Sequence, residues 1–340
     1  MAMIVATVRS RLLAEALTAN QDLRLVASRR SQRRQSFAAT PRDTMPLVRY
    51  GIVILADQRW EQASRRWRLA EEYGFAHAWT YDHLGWRNLV DGPWFDAVPT
   101  LTAAAMVTSR IELGTLVASP NFRHPVSFAR QLTALDDISG GRFVLGLGAG
   151  AGPPSFDAAV LGGPPLSARE QVDRFAEFTE LLDLLLRTDR VTWRGQYYSA
   201  VDARNLPGCV QQPRLPFVVA ANGRRSIGLA ARFGEGWVTT GDRADGLAGW
   251  WKSVADAVSR FDAALAAAGR PPESARRYLS LDASGTFALT SPAYFADAVG
   301  RAGELGFTDV ITHWPRPSGW YEGDESVLEK VAAEIASAPG

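Results

Sequence analysis

From residue 48 onward the chain alternates short apolar runs with longer amphipathic ones, and this alternation narrows its possible folds more than any other feature. The short runs RYGIVIL (49–55), AHAWTY (76–81), IELGTLV (111–117), FVLGLG (143–148), PFVVAA (216–221), GWVTT (236–240), RRYLSLDASG (276–285) and TDVITHW (308–314) predict strands. Helical spacing marks 60–75, 95–109, 125–139, 168–186, 223–234, 247–269, 292–306 and 324–336. In the first of these, Trp60, Ser64, Trp67 and Glu71 fall on successive turns, and Gly74 can end the helix. Eight strand-then-helix units over roughly 290 residues predict an α/β fold, a (β/α)₈ TIM barrel with insertions at the carboxyl ends of the strands. A doubly wound sheet would use fewer strands for this length. VTWRGQYYS (191–199) alternates around Arg194-Gly195 and predicts a hairpin inside one insertion.

Composition sets the remaining bounds. The chain is 46% hydrophobic and 21% charged with a net charge of +1, which gives no reason to expect a nucleic-acid partner. No apolar run approaches the roughly 18 residues of a membrane span. The single cysteine, Cys209, excludes an intramolecular disulfide and a thiolate-rich metal site, and fits a reducing, cytoplasmic setting. Residues 1–44 are rich in Arg, Ser and Ala and lack core periodicity. They are expected to be an extension outside the fold, with the barrel domain at 45–340 and Met45 its natural start; a targeting peptide is the other reading.

Reacting groups of a (β/α)₈ barrel gather where strands run out into loops. YDHLGW (81–86) places His83 at such an end beside Asp82, so His83 reads as an acid/base and Asp82 as the acid that sets its tautomer; a hydrogen-bonded turn is the plainer alternative. SPNFRHP (119–125) brings Phe122, Arg123 and His124 to the same rim, with Pro125 opening a helix. GLGAGAGPP (146–154) superficially resembles a dinucleotide fingerprint, but Pro153-Pro154 oppose the required helix, and no acid ends a second strand about 20 residues later. These glycines instead let a flat ring approach the backbone. In ANGRRS (221–226), Asn222 and Gly223 break a strand, and Arg224, Arg225 and Ser226 open a helix. Free N–H groups and two guanidiniums there form an anion site, a solvated helix start being the alternative.

These stretches carry a resemblance. DH (82–83), LGT (113–115), QLTALDDISGGRFVLGLGAG (131–150) and GRRSIGLAARFGEGW (223–237), in that order, resemble the bacterial luciferase-like monooxygenase superfamily, most closely its coenzyme F420-dependent oxidoreductase branch. SPNFRHP is similar to the matching stretch of F420-dependent glucose-6-phosphate dehydrogenases. The resemblance implies a deazaflavin flanked by Asp82 and His83, with His83 handling the proton and Trp86 at the substrate mouth. It implies a non-prolyl cis bond at Leu116–Val117 behind the ring. Gly148, Ala149 and Gly150 would lie along the cofactor, and Asn222 to Ser226 would hold its phosphate. Relatives commonly pair as homodimers through barrel helices.

Two departures argue against glucose 6-phosphate as substrate. Where the sugar-phosphate dehydrogenases place a catalytic glutamate after the fourth strand, this chain has Ala151-Gly152-Pro153, and their substrate-phosphate lysines have no evident counterpart, lysine being nearly absent. Trp86, Trp94, Phe122, Phe156 and Trp314 suggest a largely apolar pocket for a small organic molecule. The expected activity is hydride transfer on coenzyme F420. The rivals are an FMN-dependent two-component monooxygenase, a non-catalytic cofactor-binding protein, and a sugar-phosphate barrel without a redox cofactor.

Overall fold

The computed structural model of the protein describes residues 48–150 and 156–337. The expected extension at 1–44 and the substituted glutamate position at 151–153 lie outside the described residues. The chain runs β1 (Arg49–Val53), α1 (Trp60–Glu72), β2 (His77–Thr80), α2 (Ala97–Val107), β3 (Glu112–Thr115), α3 (Pro125–Ile138) and β4 (Phe143–Leu147). It continues through α4 (Phe156–Val160), α5 (Ala168–Arg187), β5 (Arg190–Arg194), β6 (Ser199–Arg204), β7 (Phe217–Ala220), α6 (Arg224–Phe233) and β8 (Gly236–Thr239). The last elements are α7 (Gly246–Ala267), β9 (Arg276–Ser280), α8 (Pro292–Glu304), β10 (Asp309–His313) and α9 (Glu325–Ser337).

Eight strands close into a parallel barrel in the order β1-β10-β9-β8-β7-β4-β3-β2. All eight expected barrel strands are present, and β5 and β6 form the separate antiparallel hairpin. Local chemistry starts the helices. Asp96 accepts from the Val98 N–H to cap α2, Ser167 and Glu170 make a capping box at α5, and Pro125 sits in the first turn of α3 behind the His124 cap. On α1, Ala63, Ser64, Trp67 and Ala70 are buried. Of the four residues expected on successive turns, Ser64 and Trp67 point into the core, whereas Trp60 is exposed and Glu71 half-buried, because the buried stripe runs through the two alanines instead.

One expected strand is shorter than its apolar run. Residues 276–285 form β9 only to Ser280, and Leu281–Ser284 make a short 3₁₀ turn closed by Gly285 at φ 86°. The Asp282 carboxylate accepts the N–H groups of Ala288 and His313, which turns the chain out of the sheet.

A polar plug closes the amino end of the barrel. The Trp79 indole N–H donates to His77 Nδ1 at 2.6 Å, so the His77 proton sits on Nε2, which donates to Asp309 at 3.1 Å. Burial lowers the pKa of His77, in keeping with this neutral form. Burial pushes the Asp309 carboxyl up, but His77, Arg49 and Thr308 overcome it and hold it below the usual range. Gly51 and Gly114 admit these rings: a Cβ at Gly51 would strike His77, and one at Gly114 would strike Trp79 and come 2.7 Å from the Val144 carbonyl oxygen. Above the plug, Val53, Val144, Val218, Val238 and Ile311 fill the interior around Trp79 and Tyr278. The carboxyl end is thereby left as the open face.

Candidate active site

A cavity of about 1250 Å³ opens at the carboxyl ends of the strands. One wall consists of small residues and backbone: Leu116 and Val117 after β3, Gly148 to Gly150 after β4, and Ala220, Ala221 and Asn222 after β7. The Leu116–Val117 peptide is cis, as the resemblance implies. Gly148 is needed for close packing, since a Cβ there would lie 2.9 Å from Val117 Cγ2 and 3.3 Å from Ala220 Cβ. Gly150 has φ 84°, and a Cβ there would run into the Asn121 amide. Tyr81, His83 and Trp86 follow β2 into the cavity, and His313 enters from the end of β10.

His83 faces the cavity, but its acid is not Asp82. The Asp157 carboxylate, from α4, accepts His83 Nδ1–H at 2.6 Å and the Leu84 N–H at 2.7 Å. This arrangement fixes the proton on Nδ1 and leaves Nε2 as the cavity-side nitrogen. Asp82 is 1% exposed and does not line the cavity. Both its oxygens go to Arg123, at 2.6 and 3.1 Å, and Arg123 also reaches Asp96 at 2.9 Å. Burial raises the Asp82 carboxyl pKa, with Arg123 opposing. Successive residues of an extended segment point to opposite sides, so Tyr81 and His83 share the cavity side while Asp82 points into the wall.

The expected pocket aromatics separate in the same way. Trp86 lines the cavity, with the Arg87 guanidinium 4.4 Å from its ring centroid. Trp94 does not line it: the indole N–H donates to the His83 carbonyl at 2.7 Å, which pins the loop from below. Phe122 does not line it either, because its ring packs under Arg123. Trp314 is buried, donates to Glu325 and stacks on Tyr73. Phe156 does line the cavity.

The anticipated anion loop is present in part. Asn222 and Ser226 line the cavity, whereas Arg224 and Arg225 are exposed beyond it, and Arg225 pairs with Asp173. Asn222 also ties two strand ends together, accepting from the Thr239 hydroxyl at 2.7 Å and donating to the Thr240 hydroxyl and the Gly241 carbonyl. Gly223, at the N-cap of α6, contributes no side-chain cap, so the first-turn N–H groups stay available beside Ser226. Arg123 and His124 are structural: His124 Nδ1 accepts from the Val126 N–H.

A second acid–histidine pair went unforeseen. Asp282 accepts His313 Nδ1–H at 2.6 Å, and His313 Nε2 lies 2.7 Å from the Tyr81 hydroxyl, which is 2.8 Å from that of Tyr321. His313 was visible in the sequence as a histidine at a strand end, the signal that singled out His83. Among the described residues, no cluster of His, Cys, Asp and Glu could hold a metal ion, and no helix is long and apolar enough to cross a membrane.

The luciferase-like monooxygenase family model matches residues 38–286, which takes in β1 through β9 and the cavity wall of small residues. The chain belongs to this family. As a luciferase-like protein it is 30% identical over 299 residues to an F420-dependent hydroxymycolic acid dehydrogenase of Mycobacterium tuberculosis, covering 84% of this chain and 75% of that protein. It is 39% identical over 176 residues to an F420-dependent glucose-6-phosphate dehydrogenase of Beutenbergia cavernae, spanning half of each protein (51% of this chain and 50% of that one). A solved structure of the same fold, the coenzyme F420-dependent tetrahydromethanopterin reductase from Methanopyrus kandleri, matches with a TM-score of 0.68 at 21% identity, covering 85% of this chain and 98% of that one.

Proposed function

We propose that the protein is a coenzyme F420-dependent oxidoreductase acting on a small, largely apolar organic substrate. The observation that carries this reading is the cavity itself. It pairs a wall of small residues, Gly148 to Gly150 and Ala220 to Ala221, with a histidine whose tautomer is set by a buried acid. At about 1250 Å³ it exceeds the usual range of roughly 300–1,000 Å³ for a single small ligand, leaving space for a tricyclic ring and a substrate together. The similarity to an F420-dependent dehydrogenase along most of the chain supports the choice of carrier.

When bound, F420 supplies a ring that accepts or gives up a hydride. The chain's own residues would do the remaining work. Gly148 and the Leu116–Val117 segment let the ring lie against backbone, and Ser226 with the open first turn of α6 meets its phosphate. His83, in the loop after β2 and so beside the end of β3, handles a proton at the ring side of the cavity with Asp157 holding its tautomer. A sugar phosphate suits the substrate end poorly. Asp157, Asp242, Asp282 and Glu322 line the cavity against Arg87 and Arg243, and no lysine does. Arg87 is itself held against the rings of Trp86 and Trp320. A cytoplasmic homodimer accompanies this proposal, the compartment supported by a single cysteine, the free and buried Cys209, and the pairing by the family resemblance.

The test is titration of the purified protein with oxidised F420 and, separately, FMN, followed by fluorescence at matched ionic strength. Tighter F420 binding, weakened at least tenfold by Ser226→Ala with Asn222→Ala, is expected. Preference for FMN would replace this reading with oxygen-dependent flavin chemistry, and binding of neither would end it.

A further inference from the structure

Barrel geometry divides the cavity. In the closed order, β10 stands four strands from β4 in either direction, and β9 stands four strands from β3. His313 at the end of β10 and Asp282 after β9 therefore lie diametrically across from Gly148 and from the Leu116–Val117 segment, where the ring would rest. Tyr321, which lines the cavity, lies flat on His313, with ring centroids 3.5 Å apart and planes 5° apart, and the Trp86 ring runs near-parallel to it at 6.1 Å. Tyr321 is a non-glycine residue in the left-handed region, φ 61°. Its loop is tied down by the Arg316 N–H to the Tyr321 carbonyl and by the ion pair of Arg316 with Asp57. A phenol is thus held rigidly at the wall facing the carrier.

The hydrogen bonds of this wall have a forced direction. The Asp282 carboxylate can only accept, and it takes His313 Nδ1–H, the His313 and Ala288 backbone N–H groups and the Thr312 hydroxyl. Neutral His313 therefore offers a lone pair at Nε2, which only the Tyr81 O–H can fill. The Tyr81 oxygen in turn accepts from the Tyr321 O–H. Tyr321 has no further hydrogen to give, so it meets the cavity as an acceptor. One proton placed on His313 reverses every link: Nε2–H then donates to Tyr81, Tyr81 donates to Tyr321, and Tyr321 becomes a donor. The other charged or titratable groups against this chain are Arg87, Arg316 and His83.

We propose that Tyr321 is a catalytic residue that exchanges a proton with the oxygen of a secondary alcohol or its ketone, the proton being stored on His313. In the oxidising direction the carbinol C–H bond breaks and its electron pair leaves as hydride to the oxidised deazaflavin. The O–H proton passes to Tyr321, the Tyr321 proton to Tyr81 and the Tyr81 proton to His313 Nε2, as the carbon–oxygen double bond forms. The resulting imidazolium faces the Asp282 carboxylate. Reduction of the ketone is the same sequence reversed. Tyr81, His313 and Asp282 are positioning and proton-storing residues. The His83–Asp157 pair, beside β3, is left to the charge that the hydride brings to the carrier. The cavity thus holds one acid–histidine pair for each place where charge changes. This inference rests on the F420 reading of the site.

The test uses F420-loaded protein with 1-phenylethanol, cyclohexanol and their ketones as probes, chosen to suit an aromatic wall. Tyr321→Phe and Tyr81→Phe each remove one hydroxyl and keep the ring. Either is expected to lower kcat about 100-fold or more, to flatten the pH dependence of kcat and to leave the F420 dissociation constant within threefold. A readout independent of turnover is the ¹⁵N signal of His313 Nε2 in the complex with oxidised F420 and acetophenone, which cannot react. Acetophenone should move that signal in the parent protein and in neither variant. Tyr321→Phe within threefold of the parent rate overturns the proposal and leaves the F420 reading standing. So does turnover of alkene or imine probes with no turnover of any alcohol or ketone. Failure to bind F420 removes both.

Discussion

Asp157→Asn isolates the histidine at the ring side without changing the size of any side chain. In the parent, the carboxylate accepts His83 Nδ1–H at 2.6 Å and the Leu84 N–H at 2.7 Å, and its side chain is only 2% exposed. An asparagine oxygen can keep the Leu84 bond, which leaves its NH₂ facing Nδ1. Two donors cannot share that contact, so the His83 proton moves to Nε2 and the cavity-side nitrogen changes from acceptor to donor. The protonated ring also loses its counter-charge. A hydrogen bond to a charged group is worth about 1.5–3 kcal/mol, which corresponds to a loss of roughly 10- to 150-fold in kcat. The assay is steady-state F420 reduction, alongside the F420 dissociation constant and a thermal melt. The variant should fold, bind F420 within about threefold of the parent, and show that loss. His83→Ala should lose at least as much, and the double variant should fall no further than His83→Ala alone, because both act on one proton. Parent-like turnover by Asp157→Asn would refute the assignment of His83 as a proton-handling group whose state Asp157 sets.

Other expectations concern the scaffold and the phosphate end. Burial pushes the Glu71 carboxyl up, but the N–H groups of Ile111, Arg110 and Ser109 outweigh it and hold the pKa at about 2 against an ordinary 4.5. Its contribution to stability is therefore complete above pH 4.5 and lost as pH falls toward 2. Glu71→Gln should cost about 1–2 kcal/mol at pH 7, the group being partly exposed, and should shrink the difference between melts at pH 7 and pH 3. Equal pH dependence in the variant would contradict the capping role. Gly114→Ala drives a methyl into the Trp79 ring. It should cost about 1–3 kcal/mol, read by urea unfolding, and an unchanged midpoint would show that the plug is loosely packed. Ser226 lines the cavity while Arg225 turns to Asp173, so Ser226→Ala should weaken F420 binding several-fold more than Arg225→Ala. The reverse order would show that the guanidinium leaves its ion pair to hold the cofactor.

The barrel was legible because period-two and helical apolar spacing are local properties, readable within a dozen residues. The site was legible only where one residue type announces itself: His83 at a strand end, the glycines after β4, and the helix start at Ser226. What failed was pairing by adjacency. Asp82 stands next to His83 in the chain, and that very adjacency sends the two side chains to opposite sides of an extended segment. The acid that reaches His83 lies 74 positions away on α4, and the phenol over His313 is supplied by a loop 240 positions from Tyr81. Alternation applied at two-residue spacing would have put Tyr81 beside His83 in the cavity. Applied at the other end of the chain, it would have separated His313 from Trp314. Partners supplied by other strand ends stayed hidden because barrel closure alone brings them together. The two histidines therefore differ from the plug histidine, His77, in one decisive respect. His77 Nδ1 is occupied by Trp79 and Nε2 by Asp309, so the ring has no nitrogen left for chemistry. His83 and His313 each give Nδ1 to a carboxylate and keep Nε2 toward the cavity or toward a phenol that lines it. At a barrel rim, then, the residue to seek is a histidine with one nitrogen committed and one left for the cavity.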